Sequence, residues 1–335
     1  MIRNEEQLED ILSEPSHADT EAMAAMAGDL LILGVAGKMG PSLAHRARRA
    51  APHKRIVGVA RFSNPSVREQ LDGWGIETIS MDLLEPGALE RLPDAPNVIF
   101  MAARKFGSTG NEGLTWAMNT FLPGMVAERF RQARIVAFST GNVYPFQPVV
   151  QGGADESCRP EPVGEYGQSA LGRERMFEHF SACHGTPVTL LRLNYAIDLR
   201  YGVLLDIGTK VFERRPVNLK MGHANVIWQG DANSICLRSF ALCQSPPAVL
   251  NVTGPEMVSV RWAAQRFGAR FGVEPILEGA EADTALLNNA ARCHKLFGYP
   301  SVAVEQMIEW TADWIGMGGP TWNKPTHFEV RDGKF

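Results

Sequence analysis

The sequence predicts an α/β protein built on a doubly wound parallel sheet, with a smaller substrate lobe in its C-terminal part. Three observations carry this. Short apolar runs alternate with helix-length segments from Leu30 to Tyr195, the pattern of strands buried on both faces by crossover helices. A glycine turn, "GVAGKMG", follows the first of those runs and opens the first of those helices, the Rossmann-like arrangement. The chain of 335 residues has room for one large α/β domain and an additional lobe.

Taken in order, "NEEQLEDILSEP" sets Leu8, Ile11 and Leu12 on one side of a short helix that Pro15 ends. Residues 1–27 are read as an appended N-terminal helical segment. The dinucleotide-binding Rossmann domain, 28–195, opens with "DLLILGVAGKMGPSLAHRARRAA": a buried strand, the turn, then a helix with His45, Arg46, Arg48 and Arg49 on its hydrophilic face. Further strands are "RIVGVAR", "GIETISMDL", "NVIFMAA", "ARIVAFST" and "PVTLLRLNY", with helices "NTFLPGMVAERFRQ" and "QSALGRERMFEHFSACHG" between them. Beyond Tyr195 the periodicity loosens, and 196–335 are read mostly as the substrate-binding lobe. "DANSICLRSFALC" as a helix and "AVLNVTG" as a strand return 225–255 to the main domain.

Composition narrows the function. Hydrophobic residues make up 45%, charged residues 21%, and the formal net charge is -4, which argues against disorder, a basic nucleic-acid surface and a membrane-binding face. The expected partner is a small polar molecule. "LLILGVAG" is too short to span a bilayer, and the preceding residues are acidic, unlike the start of a signal peptide. A cytoplasmic protein is expected. Cys158, Cys183, Cys236, Cys243 and Cys293 are scattered without zinc spacing, so free thiols and no structural metal are expected.

The glycine turn points to the cofactor. Gly34, Gly37 and Gly40 stand at GxxGxxG spacing between a strand and a helix. Glycines there permit a tight turn and close approach of the backbone to a pyrophosphate, while the helix N-terminus offers free N–H groups. Lys38 and Met39 lie in the same turn. The second strand ends in Ala60 and Arg61 rather than the acidic residue that reads a ribose 2′-hydroxyl. An arginine there suits a 2′-phosphate, so NADP is expected over NAD, with Lys38 as a second cation.

These landmarks, with Asp82 of "MDLLEP", Ala102 and Ala103 of "IFMAA", Asn119 of "WAMNTFLPG", Thr140 of "FSTGNVY" and Tyr166 of "EYGQS" in that order, resemble the extended short-chain dehydrogenase/reductase superfamily, specifically its NAD-dependent epimerase/dehydratase family. The resemblance implies that Asp82 and Leu83 meet the adenine, that Ala102 and Ala103 border the cofactor, and that Tyr195 lies beside the nicotinamide. Thr140 would hydrogen-bond the reacting oxygen, Tyr166 would donate or remove the proton, and Asn119 would support the site. It also implies a homodimer through a four-helix bundle, for which Leu122, Met125, Val126 and Phe130 offer apolar faces.

One residue departs from the family pattern. The lysine that lowers the tyrosine pKa and holds the nicotinamide ribose is replaced by Ala170. Arg173 lies two turns past Tyr166, about 10 Å along the helix axis, so Lys105, after the fourth strand, is the preferred substitute cation. An unassisted tyrosine titrates near pH 10 and favours carbonyl reduction. The sequence therefore leaves two readings open. One is an NAD(P)-dependent oxidoreductase or epimerase/dehydratase-type enzyme acting on a sugar or sugar-acid derivative, with Arg192, Asn194, Arg200, Tyr201, Lys210, Arg214 and Arg215 as a pool of substrate donors. The other is a catalytically weak NADP-binding sensor or scaffold of the same fold.

Overall fold

The computed structural model describes residues 2–105, 107 and 110–334. Among the described residues, seven strands form one parallel sheet: β1 (Leu30–Leu33), β2 (Ile56–Ala60), β3 (Glu77–Ser80), β4 (Asn97–Phe100), β5 (Arg134–Thr140), β6 (Val188–Leu193) and β7 (Ala248–Val252). Their order across the sheet is β7-β6-β5-β4-β1-β2-β3. The chain reverses direction across the sheet between β1 and β4, which pair from Leu30 with Asn97 to Leu33 with Phe100. In such sheets a crevice opens at the carboxyl ends of the strands on either side of this switch point. β1 and β4 are buried along their whole length, which is why each reads as an unbroken apolar run.

Helices cover both faces. On one, α2 (His17–Ala25), α3 (Gly40–Ala50) and α9 (Gln229–Arg238) enclose a core with Met23, Leu43, Ile99 and Ile235. On the other, α6 (Leu122–Arg129) and the long α7 (Gly164–His184) pack Leu122, Val126 and Phe177 against Leu31, Val98 and Ile135. α7 ends at Gly185, whose φ of +70° supplies the left-handed cap. Between α5 (Glu112–Trp116) and α6, residues Ala117–Phe121 form a single π-turn.

A third core joins α8 (Val203–Phe212), α10 (Val260–Phe271) and α12 (Val304–Gly316) into the lobe. α8 buries Val203, Leu204, Ile207, Gly208 and Val211 on one face and sets Asp206, Thr209 and Lys210 on the other. The N-terminal segment differs from its expected form. It contains two helices, α1 (Glu5–Ser13) and α2, and Ile2, Leu8 and Leu12 enter the lobe core while Ile11 faces outward. Buried Arg200 pairs with Glu9 of α1 at 2.7 Å and with Asp198 at 2.6 Å, so the segment bridges domain and lobe.

Candidate active site

At the end of β1, Gly34 adopts φ +92°, and a Cβ there would lie 2.6 Å from the Ala102 nitrogen. A Cβ on Gly40 would lie 2.0 Å from the Val35 carbonyl oxygen. Both positions demand glycine because the turn is pressed onto β4 and onto itself. Gly37 is exposed, and α3 begins at Gly40 without a side-chain cap, so its N-terminus has no side-chain acceptor of its own. The cradle fits the pyrophosphate of a dinucleotide.

Thr140 ends β5 and Tyr166 lies in the first turn of α7. Both line one cavity, and Thr140 Oγ1 accepts from the Asn142 N–H and donates to Asn142 Oδ1, each at 3.2 Å. Burial pushes the Tyr166 pKa above its ordinary value, against the opposing pull of the Arg173 guanidinium and the Thr140 hydrogen bond. Arg173 is itself buried; its Nη1 donates to the Phe138 carbonyl at 2.6 Å and its Nη2 to Asn119 Oδ1 at 3.0 Å. Asn119, fully buried in the π-turn, accepts from the Arg104 backbone N–H and donates to the Arg104 carbonyl, each at 2.8 Å. It also donates to Ser169 Oγ at 3.0 Å. Asn119 is thus a bracket that ties the loop after β4 to α7 and aims Arg173.

Thr140, Tyr166 and Arg173 line a cavity of about 340 Å³ together with Gly37, Lys38, Met39, Ala103, Lys105, Asn194, Tyr195, Tyr201 and Thr326. Two lysines enter it from opposite sides. Lys105 Nζ stands 5.9 Å from the ring centroids of both Tyr166 and Tyr195, and burial lowers its pKa to about 8. Lys38 Nζ sits 3.0 Å from the Tyr201 ring centroid; burial first, then the charges of Lys105 and Lys324, lower its pKa to about 6. Tyr195 takes a left-handed φ of +42°, unusual for a side chain of its size, with its carbonyl held by the Ile227 N–H at 3.2 Å. Desolvation raises the pKa of both Tyr195 and Tyr201.

The cation question resolves differently from the sequence reading. Arg173, judged too distant, reaches the site because Asn119 and the Phe138 carbonyl draw its guanidinium beneath Tyr166, and Lys105 reaches the same cavity. Ala170 is buried against Val143, Tyr144 and Ala154. Most of the expected substrate donors are committed elsewhere. Arg192 is buried in a bidentate pair with Glu174 (3.0 and 2.7 Å) and donates to the Tyr144 hydroxyl at 2.7 Å. Lys210 pairs with Glu329 and Arg215 with Glu213. Of that pool, Asn194 and Tyr201 line the cavity. Thr326 was missed, because a contact with Lys105 across 221 residues leaves no local sequence signal.

Farther along the crevice, Arg61 at the end of β2 is 67% exposed and faces Asp82 at 3.8 Å. Leu83 and Ala102 are buried, and Ala103 is exposed. An open groove of about 1160 Å³ runs from Gly37 and Lys38 past Ser63 and Asn64, wide enough for the adenosine half of a dinucleotide. Among the described residues no group of three or more His, Cys, Asp or Glu side chains is placed to hold a metal, and no helix is long and apolar enough to cross a membrane.

A doubly wound sheet with a glycine cradle at its switch point defines a nucleotide-binding Rossmann-like protein. The chain belongs to the NAD dependent epimerase/dehydratase family, whose model matches residues 30–197. No curated protein matches the sequence significantly. Among solved structures, UDP-glucuronic acid 4-epimerase from Bacillus cereus, in complex with UDP-glucuronic acid and NAD, is similar at TM-score 0.71 and 18% identity over 86% of this chain and 99% of that one. UDP-glucose 4-epimerase from Thermotoga maritima, with UDP-glucose, gives TM-score 0.71 and 17% identity over 87% and 99%. MoeE5, in complex with UDP-glucose and NAD, gives 0.71 and 19% over 87% and 99%.

Proposed function

We propose that this protein is a cytoplasmic nicotinamide-dinucleotide-dependent oxidoreductase or epimerase acting on a polar carbonyl or hydroxyl compound of the sugar or sugar-acid type. The observation that carries the reading is the convergence of Thr140 and Tyr166 in one cavity with the glycine turn. The free state of all five cysteines agrees with a reducing compartment. A bound nicotinamide dinucleotide supplies or accepts the hydride at the substrate carbon. In reduction, Tyr166 gives its phenolic proton to the carbonyl oxygen as hydride adds to carbon, and it recovers a proton from solvent. In oxidation, the phenolate takes the hydroxyl proton. Thr140 orients the reacting oxygen, and Arg173, fixed by Asn119, supplies a positive charge that acts on the phenol. The second reading, a sensor with weak chemistry, draws on Ala170, which leaves the usual lysine position without charge. Turnover of a hydroxy or keto compound in a panel screened with both dinucleotides supports the enzyme; tight dinucleotide binding with no turnover across the panel supports the sensor.

For the cofactor, the exposed Arg61 supports NADP over the NAD held by the solved relatives. Arg61→Ala is expected to weaken NADP(H) binding by about 1.5–3 kcal/mol, the worth of a hydrogen bond to a charged group, and to leave NAD(H) binding unchanged. Equal wild-type affinities in calorimetric titrations overturn the preference.

For assembly, a homodimer through the α5–α7 face is proposed. Leu122, Val126 and Phe130 are buried against the sheet, whereas Leu114, Trp116 and Phe121 turn outward, Phe121 being 62% exposed. Phe121→Glu is expected to convert a dimer into a monomer by light scattering. A wild-type monomer at micromolar concentration contradicts this.

A further inference from the structure

Residues 320–334 run across the mouth of the cleft as a strap, touching both halves of the molecule. The Trp322 N–H donates to the Arg200 carbonyl at 3.1 Å, and its ring stacks on Tyr201 with centroids 6.2 Å apart. Thr326 donates from its backbone N–H and its hydroxyl to Asp206 Oδ2 of α8, at 2.7 and 2.5 Å. Its own carbonyl accepts from Lys105 Nζ at 3.4 Å. Phe328 is buried in the lobe core. Arg331 donates to the Thr284 carbonyl and hydroxyl, at 2.7 and 2.6 Å, and stands 4.3 Å from the Phe146 ring centroid. Gly333 closes on the start of α7 so tightly that a Cβ there would lie 2.5 Å from the Val163 carbonyl oxygen. The strap therefore ends against the turn that carries Tyr166.

This has a volume consequence. Beneath the strap, between Asn142, Phe146, Tyr195, Met221 and Val330, about 20 Å³ of space remains, room for about one water molecule. Val330 and Gly333 of the strap thus close the side of the site next to Asn142 and Tyr195. What remains is the 340 Å³ cavity, at the lower end of the roughly 300–1,000 Å³ of ligand sites, and on the reading above it must also admit the reactive ring of the cofactor. Among the described residues its lining carries Lys105, Arg173 and Lys38, the last with its pKa lowered to about 6 by burial and its neighbours, and no carboxylate, so the space favours an anion.

We propose that the strap is a fixed wall of the substrate site and that the site takes a small, free hydroxy or keto acid, with no nucleotide attached. This rests on the dinucleotide-dependent reading and sharpens its substrate class. Lys105, between the rings of Tyr166 and Tyr195, receives the substrate carboxylate while Tyr166 faces the carbonyl or hydroxyl oxygen. Asp206, clamped by Thr326, balances the lysine charge from behind. A solved relative that binds UDP-glucose shares the fold, but here Val330 and Gly333 of the strap pack on the Asn142, Val163 and Tyr195 side of the cavity, which leaves little room on that side for a nucleotide moiety.

The test is calorimetry on the full chain saturated with dinucleotide, using UDP-glucose, UDP-glucuronic acid, D-gluconate, D-glucuronate and D-lactate as probes. At least one free acid is expected to saturate, neither UDP-sugar to do so at millimolar concentration, and Lys105→Ala to weaken the acid roughly tenfold to a hundredfold, the range for one charged hydrogen bond. The double variant Thr326→Ala, Arg331→Ala is expected to speed proteolytic cleavage within 320–334 and to gain UDP-sugar binding. If that variant fails to fold, the wild-type probes still decide. A wild-type complex with dinucleotide that binds a UDP-sugar more tightly than every free acid, or binds no acid, overturns the proposal alone. Failure to bind any dinucleotide overturns the reading beneath it.

Discussion

Tyr166→Phe is expected to lower turnover by roughly two to four orders of magnitude, the usual contribution of a positioned proton-transfer group, and to leave dinucleotide affinity unchanged. The phenol ring stays and only the proton-bearing oxygen goes. The pH dependence of the wild type follows from the same surroundings. Burial moves the Tyr166 pKa upward, and Arg173 and Thr140 oppose it only in part, so the protonated form prevails through neutrality. Reduction, which needs the phenol, is expected to be flat across neutral pH. Oxidation, which needs the phenolate, is expected to climb about tenfold per pH unit with no plateau below about pH 10, the ordinary tyrosine value. Removing the Arg173 charge, as in Arg173→Met, shifts that limb further alkaline. An oxidation plateau near pH 7, or Tyr166→Phe turnover within a few-fold of wild type, contradicts this role.

Arg192→Met is expected to cost about 3–5 kcal/mol of stability, because removing one partner of a buried ion pair strands the other charge. Glu174 is fully buried. Without Arg192 it loses both guanidinium donors and keeps the Ser139 hydroxyl, which donates at 2.5 Å. Tyr144 loses a donor as well, retaining its own bond to Asn251 Oδ1 at 2.9 Å. Adding Glu174→Gln removes the stranded charge and is expected to recover much of the loss, which direct damage to a substrate site would not allow. Urea unfolding of the single and double variants at neutral pH reads this out. A loss below about 1 kcal/mol, the range of exposed pairs, contradicts a structural role for the pair.

That Arg192 was first counted among substrate donors shows what the sequence hides. A chain displays the charge of a side chain but not its partner, and Glu174 stands on a different element 18 residues away. Features set by local physics were legible. The strands announce themselves as continuous apolar runs, and "GVAGKMG" between a strand and a helix needs only its neighbours to be understood. Features set by long-range packing were not. Arg173 was discounted by counting helical turns, whereas Asn119 and the Phe138 carbonyl set where its guanidinium goes. The strap has no periodicity at all, and its meaning lies entirely in contacts with Asp206, Thr284 and Gly164.

Tyr166 and Thr140 are proposed to form the reacting pair beside a nicotinamide in a site that lacks the usual lysine. A crystal structure of the protein with a nicotinamide dinucleotide and a bound substrate or product tests it most directly. The expected result is the pyrophosphate on the Gly34–Gly40 turn, with the Tyr166 hydroxyl and Thr140 Oγ1 both within hydrogen-bond reach, about 2.6–3.2 Å, of one substrate oxygen. A dinucleotide seated on that turn whose nicotinamide lies away from Tyr166, or a substrate oxygen met by neither hydroxyl, contradicts the account.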